Sequence, residues 1–197
     1  MDSRHSLRTL EHDDYLAMRA DAVILERDRH GEKVLRLADG SYLKLFRRKR
    51  LISSAAWYPY AQRFADNAVA LAQRGIPCPD IMDVFRIRGI RRDAVHYRPL
   101  EGQTLRQLVR SGTDTGGLQA RLGRFVARLH DAGIYFRSLH LGNVVLTPGG
   151  DFGLIDIADL RVHRQPLAKG QRRRNIEHFY RDPEDRAWLE SENRVKQ

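Results

Sequence analysis

Cysteine is almost absent from this 197-residue chain: Cys78 stands alone, so no internal disulfide can form, which fits a reducing compartment. Long apolar runs are missing too. No stretch approaches the roughly 18 apolar residues that mark a membrane-crossing helix. The start, Met1-Asp2-Ser3-Arg4-His5-Ser6, lacks the apolar core of a secretory signal, so the cytoplasm is the expected location. There are no internal repeats, no low-complexity linker, no zinc-ligand spacing and no RNP-type motif. Acid is scarce relative to base: 25 Asp and Glu against 35 Lys and Arg leave a net charge of +10. Such a balance attracts polyanions, whether nucleic acid, anionic headgroups or phosphorylated sugars. Arg47-Arg48-Lys49-Arg50 and Arg172-Arg173-Arg174 concentrate that charge, although each can equally be a solvated basic face. Nucleic acid is the disfavoured partner, because neither cluster interleaves aromatic residues. What remains is a chain 42% hydrophobic, enough for one core or two small lobes.

The pattern of elements predicts an α+β fold. Ala22–Arg27, Lys33–Leu37 and Tyr42–Phe46 read as strands. They are joined by turns at Asp28-Arg29-His30-Gly31 and at Ala38-Asp39-Gly40-Ser41, where Asp-Gly is a strong hairpin signal. A helix is predicted near 58–74, since Trp57, Tyr60, Phe64, Ala68 and Leu71 recur at three- and four-residue steps; Gly75, Pro77 and Pro79 end it. Two strands follow, Ile81–Arg88 and Ala94–Arg98, and then a connection at Pro99-Leu100-Glu101-Gly102. Thr104 to Gln107 matches a capping box opening a short helix. A longer helix spans 118–132, with Leu118, Leu122, Phe125, Leu129 and Ala132 on one face. A loop at 136–143, a strand Val144–Thr147, a turn at Pro148-Gly149-Gly150 and a strand Gly153–Ile157 come next, and terminal helices close the chain.

The loop Phe136-Arg137-Ser138-Leu139-His140-Leu141-Gly142-Asn143 reads as a protein-kinase catalytic loop. In the pattern H-R-D-x-x-x-x-N the aspartate lies five residues before the asparagine. Counting back five from Asn143 gives Ser138, with Arg137 in the arginine position. Asp156 follows Asn143 by thirteen residues, across a strand, a Gly-rich turn and a strand, the spacing that returns an aspartate beside the asparagine. Asn and Asp supply the hard oxygens that Mg²⁺ prefers. The literal Asp151-Phe152-Gly153 falls only eight residues after Asn143, directly behind the turn, and is rejected as the metal site. Asp156, taken alone, could also be a turn residue.

Lys44, flanked by apolar residues in Tyr-Leu-Lys-Leu-Phe, is the candidate to reach nucleotide phosphates; the alternative is an edge-strand lysine facing water. Asp66 is the sole acid between Leu51 and Pro79, and is either the lysine's partner or a solvent-facing helix residue. Gly31 alone marks a phosphate-covering turn, with no G-x-G-x-x-G. His140 is either a proton acceptor near the site or a residue that orders the loop through backbone hydrogen bonds. Ser138 carries a hydroxyl that cannot replace a carboxylate as base.

Together these residues resemble the lipopolysaccharide kinase family of Kdo/WaaP type, including its small InaA-like and toluene-tolerance-type members. The resemblance rests on Tyr-Leu-Lys44, Arg74-Gly-Ile-Pro77, Leu129-His130-Asp-Ala-Gly133-Ile-Tyr-Phe-Arg137, Leu139-His140-x-Gly-Asn143 and Leu-Ile-Asp156, across residues 20–190. It implies a single trimmed kinase-like domain over 1–197: an N-lobe at 20–98, a hinge at 99–102, a C-lobe at 103–197, and the site between the lobes. It also implies ATP bound with the help of Lys44, Asp66 and Gly31, and Mg²⁺ held by Asn143 and Asp156. The acceptor would be a lipopolysaccharide core sugar or another phosphorylated sugar, met at the inner membrane, where the basic surface would suit peripheral contact. Phe136 stands where the family has His, and Ser138 where it has the catalytic Asp. Two functions follow from that departure: a phosphotransferase with altered activity, or a pseudokinase that binds nucleotide or a partner without transfer.

Overall fold

The computed structural model describes residues 5–48, 58–113 and 116–195. The chain is α+β, as the sequence predicts. It divides into two compact units, one of residues 1–69 and 79–99, the other of residues 70–78 and 100–197.

The first unit is built on a six-stranded sheet. Its strands are β1 (Arg8–Leu10), β2 (Val23–Asp28), β3 (Gly31–Arg36), β4 (Tyr42–Arg47), β5 (Asp80–Ile87) and β6 (Arg92–Arg98), in the order β1-β5-β6-β4-β3-β2. All pairs are antiparallel except β1 with β5. Alternation along β4 sends Leu43 and Leu45 to one face, where they join Leu35, Leu37, Phe85 and Ile87. Tyr15, from helix α1 (His12–Arg19), closes over this cluster. On the other face, Phe46 meets Tyr60 and Phe64 of helix α2 (Tyr60–Ala72), and Phe64 meets Tyr97, ring centroids lying 5.3–6.4 Å apart. The predicted stripe on this helix is therefore real at Phe64, Ala68 and Leu71, all buried; Trp57 lies outside the described residues. Neither β1 nor α1 was expected. Three residues of Arg-Thr-Leu carry no alternation, and α1 buries only Tyr15.

The second unit holds α3 (Leu105–Arg110), α4 (Leu118–Asp131), α5 (Lys169–Ile176) and α6 (Pro183–Val195). With them are two small sheets: β7 (Gln103–Thr104), β9 (Val144–Leu146) and β10 (Phe152–Leu154) in the order β10-β9-β7, and β8 (Ile134–Phe136) paired with β11 (Leu160–Val162). The capping box predicted at Thr104 is formed, the Thr104 side chain accepting from the Gln107 N–H and Gln107 answering to the Thr104 N–H. Leu118, Leu122, Phe125 and Leu129 of α4 are buried as predicted. Among the described residues, no helix is long and apolar enough to cross a membrane.

Candidate active site

Two loops of the second unit face each other because strands pair at both of their ends. The segment 137–143 runs from β8 to β9, and the segment 155–159 runs from β10 to β11. β9 pairs with β10 antiparallel, Leu154 opposite Val144, and β11 pairs with β8, Leu160 opposite Phe136. One ladder thus delivers Asp156 beside Asn143, and the other delivers Asp159 beside Ser138. At the first junction the Ile155 N–H donates to the Asn143 carbonyl at 3.1 Å.

Asn143 is buried, and its Nδ2 donates to the Ser138 carbonyl at 2.9 Å, which leaves Oδ1 as the atom it can offer a cation. Asp156 is exposed at the start of a 3₁₀ turn, Ile157–Asp159, with φ 54° and ψ 42°. A non-glycine residue in the left-handed region is uncommon and costs backbone energy, and such positions cluster at functional sites. Asn143 and Asp156 fit a magnesium ion in kind, as two side chains carrying the hard oxygen donors that the ion prefers. Among the described residues, no group of three or more His, Cys, Asp or Glu side chains could hold a metal by itself.

The rejected Asp151-Phe152-Gly153 string has a local explanation for each residue. Asp151 sits in the β9–β10 turn, its carbonyl accepting from the Thr147 N–H and its own N–H donating to Thr147 Oγ1. Phe152 packs on Phe125, ring centroids 5.6 Å apart. Gly153 is needed because a Cβ there would lie 2.6 Å from the Pro77 carbonyl oxygen.

Ser138 bonds across to the facing segment. Its Oγ donates to Asp159 Oδ2 at 2.6 Å, and Arg137 Nε stands 3.7 Å from the same oxygen. Asp159 does not stand out in the sequence. The signal was the ladder itself, since pairing Leu160 with Phe136 sets residue 159 against residue 137. His140 caps the 3₁₀ turn Leu141–Asn143, Nδ1 accepting from the Gly142 N–H at 3.1 Å, which is the loop-ordering role. Burial first, then the Arg106 charge, holds its imidazole below the ordinary range, so it stays neutral. Phe136 is wholly buried and acts through packing.

A second missed group anchors the loop from below. Asp185 of α6 is 0% exposed. Its Oδ2 accepts from the Leu141 N–H at 2.8 Å, while Oδ1 takes a fork from Arg106, 2.7 Å to Nη2 and 3.1 Å to Nε. Behind the loop, His130 and Asn175 bond at 3.1 Å, and the Asn175 amide donates to the Phe136 carbonyl at 2.6 Å.

Lys44 is half-buried on β4, opposite Val34 of β3 and Val95 of β6. β4 is an interior strand, which overturns the edge-strand alternative. Lys44 shares its face with Tyr42 and Phe46, the face on which α2 packs. Asp66 on α2 accepts from Tyr58 Oη at 2.6 Å and from Gln62 Nε2 at 3.0 Å. Gly31 lies at the β2–β3 hairpin with φ +108°, a conformation that disfavours any side chain. Of the basic clusters, Arg172 pairs with Asp131 at 2.8 Å and Arg173 with Glu177 at 3.6 Å, as on a solvated face. Lys49 and Arg50 lie outside the described residues.

Burial also holds His96, His130 and His178 below the usual imidazole range. Each is neutral in the fold while its unfolded counterpart takes a proton below about pH 6.5. Stability is therefore fully present above that value and is lost as pH falls through the folded values. The urea midpoint should drop between pH 7.5 and pH 5.5, and a His130→Gln variant should show a shallower drop. A midpoint flat across that window would refute this.

No family model matches the chain, and no curated protein matches it. Among solved structures, two of the bifunctional kinase-methyltransferase WbdD are similar. One has 16% identity and a TM-score of 0.47, over 68% of this chain and 31% of that one. The other has 16% identity and a TM-score of 0.43, over 68% and 30%. The chain thus spans less than a third of WbdD, and a likeness this distant says nothing of what the chain does.

Proposed function

We propose that this protein is an ATP-dependent phosphotransferase acting on a sugar hydroxyl, of the lipopolysaccharide-core kinase type, with its N-lobe at 20–98, hinge at 99–102 and C-lobe at 103–197. The observation that supports it is the meeting of Asn143 and Asp156 across the β9–β10 hairpin, two oxygen donors at the junction where the motif requires them. Phosphoryl transfer asks a protein chiefly for positioning and charge stabilisation. In this reading Lys44 contacts the nucleotide phosphates, Asp66 and Gly31 assist on the same unit, and Asn143 and Asp156 hold Mg²⁺. The bound ion would neutralise charge on the phosphates. Arg137 lies next to the acceptor, while His140 keeps the loop in shape. The +10 charge would favour a phosphate-rich acceptor beside an anionic membrane, with the protein cytoplasmic or peripheral at the inner membrane.

The departure at Ser138 supports a second reading, a pseudokinase that binds nucleotide or a partner without transfer. Labelled ATP with purified lipopolysaccharide core separates the two. Transfer above the level of an Asp156→Ala variant is expected. Equal label in both proteins would reject the kinase. Under either reading Mg·ATP should raise the melting temperature, because a ligand of the native state stabilises it.

A further inference from the structure

We propose that Asp159 fixes Ser138 as an obligate hydrogen-bond acceptor for the hydroxyl that receives the phosphoryl group, so that the pair replaces the carboxylate missing from the catalytic loop. This rests on the phosphotransferase reading above. A serine hydroxyl has one proton and two lone pairs. Here the proton is committed to Asp159 Oδ2 at 2.6 Å, so any third group that meets Oγ finds only lone pairs. An ionised aspartate at the same position would present the same polarity, acceptor without donor. Left to rotate, Ser138 could instead point its proton at the incoming oxygen and turn the nucleophile's lone pair away from phosphorus.

The arrangement is held from several sides. The Ser138 carbonyl is taken by Asn143 Nδ2 at 2.9 Å, which fixes the backbone of the loop. Asp159 closes the 3₁₀ turn immediately before β11, whose register on β8 sets its place. Its Oδ1 is buried and lacks a hydrogen-bond partner, whereas Oδ2 serves Ser138 and faces Arg137. A buried carboxylate oxygen without a partner is costly and calls for a reason. Orientation of Ser138 supplies one.

Alignment is what the reaction needs. The acceptor oxygen forms its bond to the γ-phosphorus, the bond from that phosphorus to the bridging oxygen breaks, and ADP leaves with the electron pair. In a loose transition state the acceptor keeps its proton until late and then gives it up to solvent. Asp159 is thus a positioning residue, acting through Ser138.

The test uses Mg·ATP with two acceptors, water (phosphate release) and purified lipopolysaccharide core (label transfer), after melting with Mg·ATP has established nucleotide binding. Asp159→Ala and Ser138→Ala should each lower kcat about tenfold to a hundredfold, the scale of a misplaced reactant, with the nucleotide KM essentially unchanged. The double alanine should fall no further than either single change, since both remove one device. Ser138→Asp placed in the Asp159→Ala background should recover turnover, which a merely structural role for Asp159 would not allow. Ser138→Ala, a one-atom deletion, carries the test if Asp159→Ala does not fold. Unchanged turnover in either single variant, additive losses, or no recovery by Ser138→Asp would overturn the proposal and leave the phosphotransferase standing. A parent protein that binds Mg·ATP without turnover overturns it in favour of the pseudokinase. Absence of nucleotide binding removes both readings together.

Discussion

An Asp185→Ala protein is expected to lose about 3–5 kcal/mol of stability, the scale set by breaking a buried ion pair from one side. Asp185 is 0% exposed, and every contact that justifies its burial is lost at once. Arg106, itself 22% exposed at the side chain, would keep only its 2.8 Å contact with Asp182. The Leu141 N–H would be left inside the protein without an acceptor. A buried donor stranded in this way costs its full desolvation. The neighbouring pair of Arg110 and Glu184 makes the control. Its bonds are as short, 2.6 and 2.8 Å, but its side chains are 64% and 36% exposed, so water and salt screen the attraction. Glu184→Ala should leave the urea midpoint nearly where it was. Equal shifts for the two variants would show that Asp185 is not the anchor described. Because the Leu141 N–H is the point of attachment, the Asp185 variant should also lose the rise in melting temperature with Mg·ATP, even at temperatures where it remains folded.

Asp156→Gly is expected to remove magnesium-dependent nucleotide binding while leaving the fold about 1 kcal/mol more stable than Asp156→Ala. The two variants delete the same carboxylate. They differ in a single Cβ, and at φ 54° that atom is strained in alanine and absent in glycine. The comparison separates the backbone from the ligand. If Asn143 and Asp156 hold the ion, adding Mg²⁺ to an ATP-containing melt should raise the midpoint of the parent and of neither variant. If glycine and alanine prove equally stable, the left-handed turn is not strained there. Retention of the magnesium effect in both would take the metal role away from Asp156.

What could be read from the sequence divides along physical lines. Strand β4 and helices α2 and α4 announced themselves because each buries one face of a regular period, while β2, exposed along its whole length, was legible from its run of β-branched and apolar residues and the turn that follows it. Asn143 and Asp156 were legible as a pair because a hairpin brings the two ends of its strands together. Asp159 and Asp185 were not, for opposite reasons. Asp159 is placed by β8 and β11, three-residue strands 24 positions apart at their paired ends, Phe136 and Leu160, too short to show alternation. Asp185 lies in a run of Asp-Pro-Glu-Asp that reads as an ordinary acidic start to a helix. Only the fold distinguishes it from Glu184 beside it. β1 and α1 escaped because the first has no periodicity and the second buries a single tyrosine.

The turn between β9 and β10 bears on how other chains of this kind can be recognised. Asn143 and Asp156 are adjacent because Val144 faces Leu154 at the base of the hairpin. The distant tip, Pro148-Gly149-Gly150-Asp151, adds residues to the count without adding distance between the two residues. Loops lengthen at little entropic expense, about 0.6 kcal/mol per doubling. A homologue could therefore carry a much longer tip and keep the same pair of oxygens in the same place. A search that insists on thirteen residues would overlook it. The invariant worth seeking is an even strand register closing on Asn and Asp, with the literal Asp-Phe-Gly free to come and go.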